Sequence, residues 1–286
     1  MRRTVFTILL AAALAVGMLS GCAQNSQPTQ PGVQGASGAA QAPESAQSAD
    51  LLAQIREKGE ILVAMEGTWA PWTYHDESDA LVGFDVEVAQ AIAAKLGVTA
   101  TFAEGEWDGL LAGLDAGRYD IMVNGVNVTE DRSQAYDFSI PYAYERTAVI
   151  VTGDNDEIQS MEDLAGKHTA NTISSTYAEL AERYGAQVTG VDDLNQTFEL
   201  LLTGRIDATL NAEVTYYDYM KAQPDANIKI AVLGDDAIPI AIPMRKGADT
   251  AGLRAAIDQA LAELGEEGVL SELSVKYFGS DISKAS

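Results

Sequence analysis

The chain has 286 residues, 47% of them hydrophobic, so it can bury a sizeable core and is not disordered as a whole. Its 42 acidic side chains outnumber its 18 lysines and arginines, and the formal net charge of −24 argues against nucleic acid or an anionic lipid surface as a partner. A single cysteine excludes an intramolecular disulfide and a cysteine-based zinc site, and two histidines argue against a multi-histidine metal site. The length fits one large domain or two medium ones.

The N-terminal segment 1–22 has the layout of a secretory signal. Two arginines open it, and an uncharged, mostly apolar run follows up to Leu19, too short to be a comfortable membrane span of about 20 residues. The segment ends at Cys22, in a box that resembles the bacterial lipoprotein cleavage site. The resemblance implies cleavage before Cys22 and lipidation of that residue, with palmitate among the acyl chains. An ordinary signal peptide with a chance cysteine is the alternative.

Residues 23–50 are expected to form a disordered tether. The stretch is rich in Gln, Ala, Ser, Gly and Pro, has no aromatic residue, and has Glu44 as its single charge before Asp50. A lipid at one end and a flexible linker behind it would hold a folded body near a membrane while leaving it free to tumble.

The body from residue 51 onward alternates strand and helix signals. Short apolar runs predict strands near 61–65, 99–103, 121–123, 148–152, 167–172, 187–191, 208–210, 228–232 and 238–243. Apolar residues at helical spacing predict helices near 84–96, 107–116, 176–184, 193–203, 212–222, 250–264 and 269–277. Strands that alternate with helices indicate an α/β architecture with mainly parallel sheets.

Two aromatic segments lie where predicted strands end or helices begin. Residues 66–72 directly follow the first strand and place Trp69 and Trp72 on either side of a proline. Trp107 opens the helix predicted near 107–116. Each tryptophan either faces a cleft or packs at the edge of the core.

A polar segment at 124–132 follows the strand at 121–123. Thr129 is placed to cap the next helix, and Arg132 lies just inside that helix. A guanidinium held there can form a bidentate, charge-assisted pair with a carboxylate, and a surface ion pair is the alternative. The small hydroxyl residues 174–176 open another helix and present free N–H groups to an anion, or act as an ordinary N-cap.

Enzyme signatures are missing from the sequence. It contains no G-x-S-x-G, no Walker A and no H-E-x-x-H motif. His75 lies in a polar turn and is interpreted as a solvated loop residue, and His168 is interpreted as structural. The sequence therefore predicts neither an enzyme nor a cofactor.

Eight segments in order give the body a resemblance to the extracellular solute-binding proteins of ABC importers, in the polar amino-acid family (family 3). The matching segments are residues 66–72, 83–89, 107–110, 117–120, 128–132, 136–142, 204–208 and 276–279. The resemblance runs from about 51 to 283, and parts of it are most similar to the cystine-binding branch.

The resemblance implies a two-lobed periplasmic-binding-protein-like fold, with two Rossmann-like α/β lobes joined by two crossover strands. One lobe would comprise 51–147 and 241–286, and the other 148–240. The protein is expected to be a monomer that closes on a small ligand and passes it to an ABC permease.

The resemblance also implies a ligand site between the lobes. Arg132 matches the arginine that binds the ligand α-carboxylate, and the hydroxyl residues of the second lobe help to hold that carboxylate. The two tryptophans flank the aliphatic part of the ligand, and the remaining positions line the site with polar groups or stand at its edge. These further positions are Glu66, Trp69, Trp107, Asn124, Gly125, Asn127, Ser174, Ser175 and Thr176.

One departure concerns the ligand ammonium. Many relatives carry an aspartate where this chain has Ala212, within the stretch Asn211 to Glu213. An ammonium without a counter-charge in a closed cleft would cost several kcal/mol. Either Glu213 or Glu66 substitutes, or backbone carbonyls and water suffice, or the ligand is not a standard α-amino acid.

The leading hypothesis is a membrane-tethered binding component of an amino-acid importer, with cystine as a plausible ligand. It would lie on the extracellular face of a bacterial membrane, lipid-anchored, or in a periplasm. The alternatives are an enzyme on the same scaffold, similar to cyclohexadienyl (arogenate or prephenate) dehydratases, and a sensor module that reports ligand to a separate receptor.

Overall fold

The computed structural model describes residues 50–285. The predicted signal segment 1–22 with its Cys22, the tether up to residue 49 and the last residue lie outside the described residues. Asp50, assigned above to the tether, is the N-cap of the first helix, and its carboxylate accepts a hydrogen bond from the Leu52 amide at 3.2 Å. Asp50 is therefore part of the start of the first helix and not of the predicted tether.

The described chain alternates helices and strands. The helices are α1 (Leu51–Lys58), α2 (Phe84–Leu96), α3 (Trp107–Asp115), α4 (Glu130–Ala135), α5 (Thr176–Arg183), α6 (Leu194–Leu202), α7 (Glu213–Ala222), α8 (Ala251–Glu266) and α9 (Val269–Phe278), with a 3-10 turn at Met161–Leu164. The strands are β1 (Glu60–Met65), β2 (Thr68–Trp69), β3 (Thr73–His75), β4 (Leu81–Val82), β5 (Thr99–Glu104), β6 (Ile121–Met122), β7 (Tyr136–Phe138), β8 (Ala143–Glu145), β9 (Thr147–Thr152), β10 (His168–Asn171), β11 (Gln187–Gly190), β12 (Thr209–Ala212), β13 (Ile228–Leu233), β14 (Ile238–Ile240) and β15 (Pro243–Arg245).

The first lobe is built on a parallel sheet in the order β5-β1-β6. Helix α2 packs against this sheet, and α8 and α9 pack against α2 and against each other. The apolar faces of α2 and α8 bury Phe84, Ile92, Ile257 and Leu261. Helix α2 ends at Gly97, whose φ of 77° is a left-handed conformation that favours glycine. All three strands of this sheet end on the same edge, and the segments that follow them therefore meet there.

The second lobe contains a sheet in the order β12-β9-β13, and both neighbours run antiparallel to β9. The parallel pair β10–β11 joins it through a bridge between Thr169 and Ala208. The expectation of mainly parallel sheets holds for β10, β11 and the neighbouring β12, whereas β9 runs antiparallel to both of its neighbours. Strand β9 enters from the first lobe, so it runs against the strands that the second lobe adds.

Two antiparallel strand pairs lie where the chain passes between the lobes. Strand β8 pairs with β14, and β7 pairs with β15. The chain leaves the first lobe through β8 and returns through β14, as a fold with two crossover strands requires. The predicted strand at 238–243 is in fact two strands, because Ala241 and Ile242 lie between β14 and β15.

Most long predicted elements are found within one to three residues of their expected ends. Ser160 caps the 3-10 turn, and its amide and hydroxyl both donate to the Asp163 carboxylate. Helix α1, the small sheet β2-β3-β4 and the strands β7 and β8 were not predicted. In the described part of the chain, no helix combines the length and apolar character needed to cross a membrane.

Candidate functional site

A cavity lies between the lobes, where β1, β6 and β10 end. The first lobe contributes one part of its wall and the second lobe the other. The lining residues are Glu66, Trp69, Trp107, Gly125 and Asn127 from the first lobe, and Asn171, Thr172, Ser175, Thr176, Tyr177, Asp193, Leu194, Thr197 and Asn211 from the second.

An aromatic wall forms the first-lobe side. The Trp69 ring stacks on the buried Trp72 ring, with centroids 5.3 Å apart. Gly125 lies against it so closely that an added Cβ would come within 2.6 Å of the Trp69 ring, and its φ is +54°. Glycine at this position thus allows the aromatic ring to lie flat along the cavity.

Glu66 is held at the cavity by Asn124. The Asn124 side chain accepts a hydrogen bond from the Glu66 amide at 2.7 Å and donates one to the Glu66 carboxylate, also at 2.7 Å. Burial raises the pKa of Glu66 to about 7 although this hydrogen bond lowers it, and the nearby Asp193 carboxylate raises it further. The cavity therefore holds a carboxyl group that titrates near neutral pH.

Arg132 lies beside the cavity and is 8% exposed. Thr129 caps its short helix as predicted, by accepting a hydrogen bond from the Arg132 amide at 3.2 Å. The guanidinium lies 5.3 Å from the centroid of the Trp107 ring and donates to the carbonyls of Asn127, at 3.3 Å, and Ser174, at 3.1 Å. Within the described part of the chain it forms no ion pair and both of its hydrogen bonds go to neutral carbonyls, while the more distant carboxylates of Glu179 and Glu145 favour its charge.

The start of helix α5 forms the second-lobe wall. Ser175 caps the helix and accepts a hydrogen bond from the Ala178 amide. Thr176 reaches across the cavity, and its hydroxyl donates to the Asn127 side chain at 2.7 Å. The free amides at this helix end lie next to Arg132, so two groups that favour an anion meet at one end of the cavity.

A second contact closes the cleft at its edge. The amide and hydroxyl of Ser174 donate to the Asp108 carboxylate at 3.1 Å and 2.6 Å. Asp108 belongs to helix α3 of the first lobe, and Ser174 belongs to the second lobe. The Ser174 carbonyl accepts from Arg132, so this loop is held from both sides.

A buried carboxyl group lies behind the cavity. Glu145 accepts hydrogen bonds from the side-chain NH₂ group of Asn127 at 2.8 Å and from the Tyr177 hydroxyl at 2.7 Å. Burial raises its pKa to about 7, against those hydrogen bonds. Since Tyr177 belongs to the second lobe and Glu145 to a connecting strand, this hydrogen bond links the second lobe to the connection between the lobes.

The structure brings most of the predicted site residues to the cavity, with four exceptions. Asn124, Arg132 and Ser174 are not part of its wall: the first holds Glu66, and the other two lie at its edge. Glu213 faces away because Arg146 binds its carboxylate at 2.7 Å, so it is not positioned to replace the missing aspartate. The structure thus leaves Glu66 as the one nearby acid of the two that the sequence offered.

Six cavity residues were not predicted, among them Asn171 and Asp193. Asp193 is the N-cap of helix α6, and its carboxylate accepts a hydrogen bond from the Gln196 amide at 3.0 Å. Asn171 is simply the last residue of a strand. The others are Thr172, Tyr177, Leu194 and Thr197.

Several polar atoms of the wall have no hydrogen-bond partner in the described chain. They are the indole nitrogens of Trp69 and Trp107, which are donors, and Oδ1 of Asn171, which is an acceptor. Among the described residues no group of three or more His, Cys, Asp or Glu side chains is arranged to hold a metal ion. The unpartnered donors and acceptor suit a small polar organic ligand.

A sequence profile of the bacterial extracellular solute-binding proteins, family 3, matches residues 61–280. The chain belongs to that family. This solute-binding protein is 39% identical over 236 residues to the L-cystine-binding protein TcyA of Bacillus subtilis (strain 168), in an alignment that covers 82% of this chain and 87% of TcyA. The expected family and two-lobed α/β fold are therefore confirmed.

Two solved structures indicate the arrangement of the lobes. The L-cystine solute receptor of Neisseria gonorrhoeae, in its unliganded open conformation, is 39% identical and superposes with a TM-score of 0.56, over 82% of this chain and 99% of the receptor. An ancestral arginine-binding protein bound to arginine is 35% identical but superposes with a TM-score of 0.72, over 77% of this chain and 99% of that protein. The better fit to the ligand-bound relative agrees with the hydrogen bonds across the cleft, and the lobes of this solute-binding protein are closed.

Proposed function

We propose that this solute-binding protein captures a polar amino acid, with L-cystine as the favoured ligand, for an ABC importer. The observation that carries the proposal is Arg132, a buried guanidinium without an ion pair beside the closed cavity. A buried charge without a counter-charge is costly. A ligand carboxylate at this end of the cavity would remove that cost.

The proposed binding mode uses both lobes. The carboxylate would accept from Arg132 and from the free amides at the start of helix α5, and Trp69 and Trp107 would cover the aliphatic part of the ligand. Ligand contacts to both walls favour the closed state over the open one, and the permease would recognise that closed state.

Cystine is favoured because the relatives described above that share 39% identity are cystine-binding proteins by name. The arginine-bound ancestral relative keeps basic amino acids among the candidates. The two tryptophans of the cavity wall suit a ligand with an apolar middle.

Isothermal titration calorimetry of the purified full chain, freed of bound ligand by unfolding and refolding, tests the proposal. The panel is the twenty amino acids and L-cystine. We expect saturable heat with L-cystine and weaker or no heat with most of the others. Absence of heat across the whole panel would overturn the proposed function.

The dehydratase alternative is the weaker candidate, since the family description concerns solute binding. It is tested by incubating the same preparation with prephenate and with arogenate and following product formation. Turnover of either substrate would replace the binding role with a catalytic one.

The lipid anchor at Cys22 and the monomeric state are further parts of the proposal. They are supported by the lipoprotein-like box and by the family's role as receptors of membrane importers. In cells, Cys22→Ala is expected to move the protein from the membrane fraction to the soluble fraction and to abolish labelling by a palmitate analogue. Gel filtration with light scattering of that variant measures the oligomeric state.

We also propose the lobe boundaries 51–147 with 241–286, and 148–240. The pairing of β8 with β14 supports them, because the chain passes between the lobes at those strands. Limited proteolysis and hydrogen exchange with and without ligand are expected to show their largest changes near these two positions.

A further inference from the structure

Asn171 presents a buried oxygen to the cavity. It is the last residue of β10, is 4% exposed, and lines the inter-lobe space. Its side-chain NH₂ group donates to the Leu210 carbonyl at 2.8 Å, which fixes the orientation of the amide. Oδ1 has no partner in the described chain, and an unpaired buried acceptor is destabilising until a donor reaches it.

The charges around this oxygen favour a cation as the donor. The cavity wall contains two carboxyl groups, Glu66 from the first lobe and Asp193 from the second, and none of its described residues is Lys, Arg or His. Arg132 lies outside the wall, where it contacts Trp107 and the loop of Ser174. A zwitterion with its carboxylate at Arg132 would therefore place its ammonium among acceptors.

The resemblance described above leads us to expect an acidic acceptor for that ammonium at position 212. Ala212 occupies that position, and it is buried and apolar. The adjacent Glu213 is held by Arg146. An acceptor must come from elsewhere in the wall, and β10 lies beside β12, which ends at Ala212.

We propose that Oδ1 of Asn171 accepts a hydrogen bond from the ligand α-ammonium, which makes Asn171 a specificity-determining residue for amino acids over the corresponding acids without an amine. The inference rests on the proposed function, since it needs a ligand with a carboxylate at Arg132. Glu66 and Asp193 supply the negative field around the ammonium, while Asn171 supplies the directed acceptor.

Two variants separate this role from a structural one. Asn171→Leu and Asn171→Asp both remove the hydrogen bond to the Leu210 carbonyl, but only Asp keeps an acceptor oxygen toward the cavity. We expect Asn171→Leu to weaken L-cystine binding by about tenfold or more, and Asn171→Asp to bind at least several-fold more tightly than Asn171→Leu above pH 7. Calorimetry on the full chain measures the affinities, and thermal unfolding confirms that each variant folds.

A second arm changes the ligand instead of the protein. The probes are L-cystine and 3,3′-dithiodipropionic acid, which lacks both amines; if another amino acid of the panel binds more tightly, it and its deaminated analogue are used. In a double-mutant cycle, Asn171→Leu is expected to cost about tenfold on the amine-containing probe and less than about threefold on its analogue.

The outcomes are distinct. Equal losses on both probes, or equal losses for the Leu and Asp variants, would overturn the role of Asn171 while leaving the proposed function standing. Equal losses on both probes would also be expected if Oδ1 accepted a hydrogen bond from a neutral donor of the ligand. A wild-type chain that binds no probe would overturn the proposed function and this inference with it.

Discussion

The two walls of the cavity differ in kind. The first-lobe wall contains the large or charged side chains Trp69, Trp107 and Glu66, and Arg132 lies beside it. Contacts within that lobe hold Trp69 and Glu66 in place. The second-lobe wall is mostly short polar side chains at strand and helix ends. We therefore expect changes in the first-lobe wall to alter mainly the ligand affinity, and changes in the contacts of the second lobe to alter mainly the ligand dissociation rate.

The largest expected effect comes from the charge beside the first-lobe wall. Arg132→Ala removes the group that would bind the ligand carboxylate, so affinity for the best ligand of the panel should fall by about 100-fold or more, equivalent to about 3 kcal/mol. Calorimetry measures it, and the exposed Arg118→Ala on the same lobe is the control. A loss of less than threefold would remove Arg132 from the site.

The next effect is on pH dependence. Burial raises the pKa of Glu66 to about 7, so below pH 7 the neutral acid dominates and its attraction for an ammonium is lost. Affinity should therefore fall as pH falls, by about tenfold between pH 8 and pH 6.

The control for that experiment is Glu66→Gln, which should bind more weakly at pH 8 and lose most of the pH dependence. This comparison is needed because burial also raises the pKa values of Asp85 and Glu145 to about 7. A slope that persists unchanged in the variant would assign the effect to one of those two groups.

A smaller effect tests the shape of the aromatic wall. Gly125→Ala would place a methyl group within 2.6 Å of the Trp69 ring and force an alanine to a φ of +54°, so it should lower both affinity and stability, the latter by about 1–3 kcal/mol. Gly97→Ala is the matched control, because Gly97 has a φ of +77° and nothing within 4 Å of an added Cβ. It should destabilise the fold while leaving binding unchanged.

The smallest effect tests the contact between the lobes at the edge of the cleft. Asp108→Ala removes from the first lobe the acceptor of both hydrogen bonds that Ser174 of the second lobe donates. Because both groups are exposed to solvent, we expect a rise of about three- to tenfold in the ligand dissociation rate with little change in the association rate. Stopped-flow fluorescence of the tryptophans measures both rates, and the exposed Glu57→Ala serves as control. An effect confined to association would contradict the division between the walls.

The long elements of the fold could be predicted because their signals are local. Helix α2 begins at Phe84 and ends at Leu96 as its apolar spacing and Gly97 indicate. The strands β2 and β3 escaped prediction because they have only two or three residues each, too few to show a period. His75, interpreted as a solvated loop residue, is exposed, but it is the last residue of β3 and pairs with Leu81 of β4.

The site divides in the same way. Thr129 and Arg132 were predictable because a cap and the residue three positions later act within one turn. Asn171 was not, because its role depends on an amide orientation set by Leu210 and on a cavity completed by the other lobe. Glu213 was a reasonable candidate from sequence, and only the position of Arg146 removes it.

The placement of the two ends of the described chain has a mechanical consequence. Helix α1 packs against α8, and the C-terminal helix α9 packs against α2, so both ends belong to the lobe that carries the aromatic wall. The chain enters and leaves the other lobe through two strand connections, and helix α7 of that lobe also contacts α9. A force applied between the two described ends therefore acts first on the lobe with the aromatic wall. A fluorescent reporter attached at either described end would report on the first lobe, whereas one inserted at the Gly204 turn would report the movement of the second lobe relative to the first.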